Sequence, residues 1–278
     1  MMNNPNTLIC TSHDYTIGCL LGQGAYGQVF KGTFRKKVVA IKEMMFDRNY
    51  QYEYNCFKRE TELLKILNHP NIVEILGIVD EPKSLVLIME YVPFGSLREL
   101  IKSQELKKEM RIRVCYDISI ALSYLHHLNI IHRDIKSGNV LLTTKKEYKS
   151  GVVAKLCDFE SSCYEKDSIV DKKIGTPIYM PPEQWNSKRL TKESDIYSFG
   201  ILCYECIDNH LPYDTPEFSN EWNIAMFVCQ NKRLPKPKEC NEYLWRIITE
   251  CWCNEPSQRI AIYIPGINEI IKRLKKVI

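Results

Sequence analysis

Hydrophobic and polar positions change their period partway along this chain. Over residues 15–22 and 28–34 apolar and polar side chains alternate, the period of a strand, with GQGAYG between them as a glycine-rich hairpin. KVVAIKE, residues 37–43, reads as a third strand. NCFKRETELLKILNH then turns to helical spacing, with Phe57, Leu63, Leu64 and Leu67 apolar among charges. NIVEILGIV and SLVLIMEYV complete a small sheet, and the second is apolar enough to be a buried strand. VPFGS is a turn and marks the boundary between two parts of the chain. Past Gly95 the pattern is mainly helical. Met110, Val114, Ile118, Leu122 and Leu125 recur every third or fourth residue and predict a long buried helix. Further helices are predicted near residues 191–207, 220–230, 243–251 and 267–277. In the last, KRLKK reads as a solvated face rather than a membrane-binding one. The expected organisation is α+β: a β-rich lobe, a hinge and a helical lobe.

Composition narrows the class without naming a chemistry. The 278 residues suit one large domain or two lobes sharing a cleft, and 45% apolar with 26% charged residues is ordinary for a soluble globular protein. A formal net charge of +4 is compatible with an anionic ligand and too weak to predict a nucleic-acid partner. No apolar run reaches the ~18 residues of a membrane span, and no basic start leads into a cleavable apolar segment. Twelve cysteines raise the question of metal or disulfides. The best spacings, Cys203-Tyr-Glu-Cys206 and Cys251-Trp-Cys253, lack a second CxxC or a histidine pair, and the first lies in the apolar helical run DIYSFGILCYECI. Buried reduced thiols are the better reading, in a cytoplasmic protein or the cytoplasmic portion of a longer one.

Three stretches carry candidate chemistry. Gly22-Gln-Gly24-Ala-Tyr-Gly27-Gln-Val29 is followed by a strand pattern rather than a helix. It therefore joins two antiparallel strands, and its glycines would let backbone N–H groups approach phosphate oxygens. Lys42 follows Ala40-Ile41 on a largely apolar strand, where burial without an anion would be costly, and Glu60 in the next helix is its plausible partner. IIHRDIKSGNVLL is the strongest signal: His132, Arg133 and Asp134 sit between apolar runs, with Lys136 and Asn139 close behind. A bare polar turn does not require that set of charges beside buried strands.

The last stretch resembles the catalytic loop of eukaryotic protein kinases. The order of glycine loop, VAIK, HRD…N, DF and PPE is similar to that family over residues 14–276, with an N-lobe at about 14–90, a hinge at 90–95 and a C-lobe at 96–276. The resemblance implies the bilobal kinase fold, an antiparallel N-terminal sheet with one main helix above a mainly helical lobe. It implies ATP and Mg2+ as cosubstrate and metal, and Ser/Thr hydroxyls of proteins as acceptors. Asp134 would accept the hydroxyl proton, Lys136 would neutralise the transferred group, and Asn139 and Asp158 would hold magnesium. Lys42, fixed by Glu60, would engage the α- and β-phosphates beneath Gly22, Gln23, Gly24, Ala25, Tyr26, Gly27 and Gln28. Leu21, Val29, Ala40 and Leu141 would line the adenine faces. Met89 would be the gatekeeper, and the backbone of Glu90 and Val92 would meet the adenine edge. Thr176 in GTPIYMPPE resembles the threonine that contacts Asp134 and Lys136, and with Lys136 it favours Ser/Thr over Tyr acceptors. Glu183 and Arg259 resemble a buried ion pair, and Asp195 the helix-start aspartate that ties down the catalytic loop. HRDIKSGNVLL with ECWCNEPSQR looks most like the tyrosine-kinase-like group of Ser/Thr kinases.

LCDFESSC departs from the pattern, because Glu160 stands where the family has glycine. The change restricts φ and adds a charge near the phosphates, yet every residue with a direct chemical role is retained. An active enzyme is expected; the alternative is a pseudokinase, a nucleotide-binding or scaffolding module. Two further expectations concern this segment. Arg133 would receive a phosphate from the activation segment, which holds Ser161, Ser162, Tyr164, Ser168 and Thr176, with Ser168 the favoured acceptor. Strand alternation would put Leu156 and Asp158 on one side and Cys157 on the other. The resemblance implies that Cys157 lines the back of the nucleotide pocket, an inert buried thiol is the alternative, and the remaining cysteines pack.

Overall fold

A computed structural model describes residues 8–24, 27–44, 50–81, 84–144, 151–168, 174–259 and 272. Contacts divide the chain into two units, the first running to Pro93 and taking in Asp158–Glu160, the second beginning at Phe94. The boundary falls within the VPFGS turn.

The first unit is a six-stranded sheet with one helix. Its strands are β1 (Leu8–Cys10), β2 (Tyr15–Gln23), β3 (Gly27–Phe34), β4 (Lys37–Met44), β5 (Ile75–Glu81) and β6 (Ser84–Glu90); α1 (Tyr50–Ile66) lies between β4 and β5. The spatial order is β1-β5-β6-β4-β3-β2. SLVLIME forms a central strand for a simple reason: Leu85, Val86, Leu87 and Ile88 are at most 1% exposed, so neither face tolerates a polar side chain. Val86 and Ile88 join Cys10, Phe34, Val39, Ile41 and Val79 in one apolar cluster. Leu85 and Leu87 point to the other face, and α1 packs against β5 and β6. Removing each such side chain from water contributes about 1.5–3 kcal/mol.

One short strand extends the otherwise antiparallel sheet: β1 pairs in parallel with β5, Leu8 opposite Gly77, ahead of residue 14. The alternation over residues 15–22 does not mark a buried face. β2 is an edge strand exposed along most of its length, Ile17, Leu20 and Leu21 included, and register shifts interrupt its pairing with β3.

The second unit contains α2 (Leu97–Lys102), α3 (Lys108–His127), β7 (Ile130–Ile131), β8 (Val140–Thr144), β9 (Val152–Leu156), β10 (Cys163–Tyr164), α4 (Pro182–Trp185), α5 (Lys192–Asp208), α6 (Glu221–Cys229) and α7 (Glu242–Cys251). Ser96 starts α2 with a capping box: it accepts the Glu99 N–H at 3.3 Å while Glu99 accepts the Ser96 N–H at 2.9 Å. In α3 the predicted stripe is buried at Val114, Ile118, Leu122 and Leu125. Helix α5 is buried from Ser194 to Ile207 and packs against α3 and α7, which explains why DIYSFGILCYECI is apolar all round. It ends at Asn209 in the left-handed region at φ 59°. Arg259, 1% exposed, closes a bidentate pair on Glu183 at 2.7 and 2.6 Å. The pair anchors α4 and the segment before it. The helix expected at 267–277 lies outside the described residues. No helix among the described residues is long and apolar enough to cross a membrane.

All twelve cysteines are free thiols. Most pack, but Cys19 and Cys229 are exposed, against the expectation that all the cysteines other than Cys157 do so.

Candidate active site

In the first unit the site is built around Lys42. Its strand, β4, pairs Val29 with Lys42 on one side and Lys42 with Leu87 on the other, so the ammonium rises from the middle of the sheet. The residue is only 9% exposed, and its Nζ lies 3.0 and 3.1 Å from the two carboxylate oxygens of Glu60 on α1. The anticipated pair is present. Two further carboxylates reach the same nitrogen: Asp158 Oδ1 at 3.3 Å and Glu160 Oε2 at 3.4 Å. Burial alone would drive Lys42 toward its neutral form, but Glu60, Asp158 and Glu160 together hold its pKa above the ordinary lysine value. Burial lifts the Glu160 carboxyl to about 7; Lys42 opposes the shift, while Asp158 and Glu60 add to it. The segment is also held through its backbone. The Phe159 N–H bonds the Glu60 carboxylate, and Arg59 donates to the Glu160 carbonyl at 3.0 Å.

Asp158 has φ 65°, in the left-handed region. This corrects the strand-alternation reading. β9 ends at Leu156, and the turn at Asp158, not a continued strand, aims its carboxylate at Lys42.

The glycine-rich hairpin forms as expected, with Gly22 opposite Val29, Gln23 opposite Gln28, and the Gly24 N–H donating to the Gly27 carbonyl at 2.9 Å. Ala25 and Tyr26 lie outside the described residues. A Cβ at Gly27 would stand 2.4 Å from the Glu43 carbonyl oxygen, so only glycine lets β3 begin this close to β4. Ala40 pairs with Met89 across β4 and β6, and Leu21 at the end of β2 is 44% exposed. The Glu90 N–H donates to the Glu74 carbonyl at 3.0 Å, and Val92 is buried at 7% exposure.

In the second unit a different cluster surrounds Asp134. The turn Ser137–Asn139 follows it, and β8 carries Leu141, which bridges to Ser96. Lys136 Nζ lies 2.6 Å from Asp134 Oδ2, and Thr176 donates to Oδ1 at 2.8 Å. Lys136 also reaches Thr176 Oγ1 at 3.1 Å, closing a ring of three side chains. Asn139 Nδ2 donates to the Asp134 carbonyl at 2.9 Å and to Oδ2 at 3.1 Å. Gly175 makes room for Thr176 at φ 95°, where a Cβ would sit 3.0 Å from the Arg133 carbonyl.

Two braces hold this loop. Asp195, 1% exposed at the start of α5, accepts the N–H groups of His132 and Arg133, each at 2.9 Å, and meets His126 Nε2 at 2.9 Å. Burial works against its charge, yet the His126 bond and the His132 N–H leave its carboxyl below the usual range. His132 itself accepts the Asp134 N–H at Nδ1 and faces the Cys157 carbonyl through Nε2 at 3.2 Å. That assigns the ring proton to Nε2. The second brace was not foreseen. Glu205 in α5 is fully buried and accepts from Ser137 Oγ and from Tyr179 OH, each at 2.6 Å. Burial raises its carboxyl to about 7 against those two bonds.

The activation-segment expectation is altered by burial. Arg133 donates through Nε to the Ser161 carbonyl, and Ser168 is only 6% exposed, so a modifying enzyme cannot reach Ser168 in this conformation. Cys157 is half-buried, with its N–H on the Asn139 carbonyl at 2.9 Å. Neither the Glu160 contact nor Arg59 and Glu205 announces itself locally, since none belongs to a recognisable spacing.

The sequence profile of the protein kinase domain matches residues 15–272, and this chain belongs to the protein kinase family. Within it the chain resembles the tyrosine-kinase-like group. It is 33% identical over 270 residues to the dual specificity protein kinase shkC of Dictyostelium discoideum, covering 93% of this chain and 50% of that protein. It is 33% identical over 254 residues to the serine/threonine-protein kinase CTR1 of Arabidopsis thaliana, covering 88% and 30%. It is also 33% identical over 272 residues to the serine/threonine/tyrosine-protein kinase HT1 of the same plant, covering 94% and 65%. The chain thus spans less than two thirds of the length of each of these curated relatives.

Proposed function

We propose that this chain is a protein serine/threonine kinase that transfers the γ-phosphate of Mg-ATP to protein hydroxyls. The observation that carries the reading is the ring of Asp134, Lys136 and Thr176, with Asn139 fixing the same carboxylate. A carboxylate so held is ready to take the proton of an incoming hydroxyl as its oxygen attacks the γ-phosphorus. The bond from phosphorus to the bridging oxygen breaks, ADP leaves, and Lys136 faces the charge that develops. Lys42 with Glu60 engages the α- and β-phosphates. The Glu90 N–H is already committed to Glu74, so adenine would meet the Glu90 carbonyl and the Val92 backbone.

Asp158 and Asn139 offer carboxylate and amide oxygens, the hard donors magnesium takes, and the Asp158 side chain is 38% exposed. Each residue by itself carries a donor of the kind magnesium takes, and the ion would neutralise phosphate charge when bound. The free thiols fit a reducing compartment, and the reading is a cytoplasmic protein or the cytoplasmic portion of a longer one.

Labelled phosphate from γ-labelled ATP should appear on serine or threonine of a generic basic protein with wild type and vanish with Asp134→Asn. Phosphotyrosine as the main product, or full activity in the variant, overturns the reading. The contact of Glu160 with Lys42 favours a second reading, a nucleotide-binding module without turnover. It predicts Mg-ATP binding without any Asp134-dependent transfer.

A further inference from the structure

We propose that Glu160 is an intramolecular competitor of ATP: its carboxylate occupies the flank of Lys42 that nucleotide phosphate must take, and binding requires its displacement. The inference rests on the assignment of Lys42 as a phosphate ligand made above.

The ammonium has three protons to donate. Four acceptor oxygens stand within 3.4 Å of it, two from Glu60, one from Asp158 and one from Glu160. Its donors are fully committed, and a phosphate oxygen can enter only in exchange for one of the four. The Glu60 contacts are the shortest, and Glu60 is anchored in α1 at 2% exposure. Asp158 and Glu160 are the two longer contacts, at 3.3 and 3.4 Å, and with Asp158 assigned to magnesium the Glu160 carboxylate is the one that yields. Nothing in its backbone anchoring opposes this, since Arg59 holds the carbonyl of Glu160 and not its side chain.

Charge points the same way. With Glu160 ionised, three carboxylates around one ammonium give the cluster a formal net charge of −2, and the Glu160 side chain is only 15% exposed. A polyanionic ligand is therefore repelled by the very group that holds the cation it needs. A glycine at this position would present neither the competing oxygen nor the charge. Glu160 thus acts as a positioning residue that sets nucleotide affinity, and it takes no part in the transfer step.

The test compares wild type with Glu160→Gln, which keeps the shape and removes the charge, and with Glu160→Gly. Binding of Mg-ATP and of adenosine is measured by calorimetry, and KM for Mg-ATP and kcat by phosphotransfer. Both variants should bind Mg-ATP about tenfold more tightly, while adenosine, which has no phosphate to compete with Glu160, binds as to wild type. KM should fall with Mg-ATP affinity, so that kcat/KM rises. If the variants bind Mg-ATP no better than wild type while wild type phosphorylates protein, the competitor role falls and the kinase assignment stands. Tightening without any phosphotransfer upholds the competitor and leaves the nucleotide-binding module. Adenosine tightening as much as Mg-ATP overturns the proposal, because the substitution would then act on the pocket's shape. Wild type and variants all failing to bind Mg-ATP overturns both it and the assignment of Lys42.

Discussion

The two clusters solve opposite electrostatic problems. Around Asp134 one carboxylate receives bonds from Lys136, Thr176 and Asn139, so donors exceed the charge they hold. Around Lys42 one ammonium faces the carboxylates of Glu60, Asp158 and Glu160, so acceptors exceed the donor. A donor-rich carboxylate is oriented but remains an acceptor for a proton. An acceptor-rich ammonium is kept charged but is already occupied. The first arrangement suits a group that acts on the reacting oxygen. The second suits a group that waits for an anion to replace one of its neighbours.

The sharpest way to break that contrast is to remove the central residue of each cluster. Asp134→Asn should lower kcat by about 10²–10⁴-fold while Mg-ATP still binds. Lys42→Met should abolish transfer and Mg-ATP binding together, and leave three carboxylates facing one another. Calorimetric titration with Mg-ATP separates the two. If Lys42→Met binds as tightly as Asp134→Asn, the ammonium is not a phosphate ligand.

The Glu183–Arg259 ion pair of the second unit should show how much stability one buried anchor supplies. Arg259→Ala leaves the Glu183 carboxylate, 5% exposed, without the bidentate guanidinium. Loss of about 3–5 kcal/mol is expected in the urea unfolding free energy. A loss below about 1 kcal/mol would mean that Glu183 finds a replacement partner.

Helix α5 repeats the comparison on a single element. Asp195 and Glu205 are both buried, but Asp195 is met by two backbone N–H groups and His126, Glu205 only by two hydroxyls, and their pKa values move apart. With Glu205 raised to about 7, the folded protein keeps a proton that the unfolded chain releases near 4.5. Its contribution to stability is full below 4.5 and is lost as pH rises through 7, on the order of 3 kcal/mol. The wild-type-minus-Glu205→Gln difference in urea midpoint should fall as pH rises from 4.5 to 8. A difference that stays constant with pH would show that Glu205 is ionised in the fold at both ends.

Much of the site was legible from chemistry that a single residue makes compulsory. Lys42 on an apolar strand demanded an anion, and Glu60 supplies it. The partners of the loop after Ile131 came only with the resemblance to the kinase family, and Asp195 and Thr176 do contact it. What escaped depends on chain geometry that sequence period does not encode. The φ of 65° at Asp158 ends the alternation and brings Glu160 to Lys42. β1 is three residues long and pairs with Gly77 and its neighbours far along the chain, so no local pattern announces it. β2 alternates like a half-buried strand but lies at the sheet edge, where sequence cannot say that no layer covers it. Ser168 lies in a polar stretch that reads as exposed, yet the fold buries it.

The smallest expected effect isolates one donor of the Asp134 cluster. Thr176 donates to Oδ1, whereas Lys136 and Asn139 both sit on Oδ2. Thr176→Val keeps the shape and removes that bond together with the acceptor that Lys136 uses at 3.1 Å. The carboxylate then keeps its charge partner but loses the contact that fixes its rotation about the Cβ–Cγ bond. Loss of one hydrogen bond to a charged group costs about 1.5 kcal/mol, or about tenfold in kcat. KM for Mg-ATP should not move, because the nucleotide phosphates are assigned to Lys42. Thr176→Ser restores the hydroxyl and should restore kcat. If Thr176→Val instead raises KM for Mg-ATP with kcat intact, Thr176 serves nucleotide binding, and the division of labour between the two clusters is wrong.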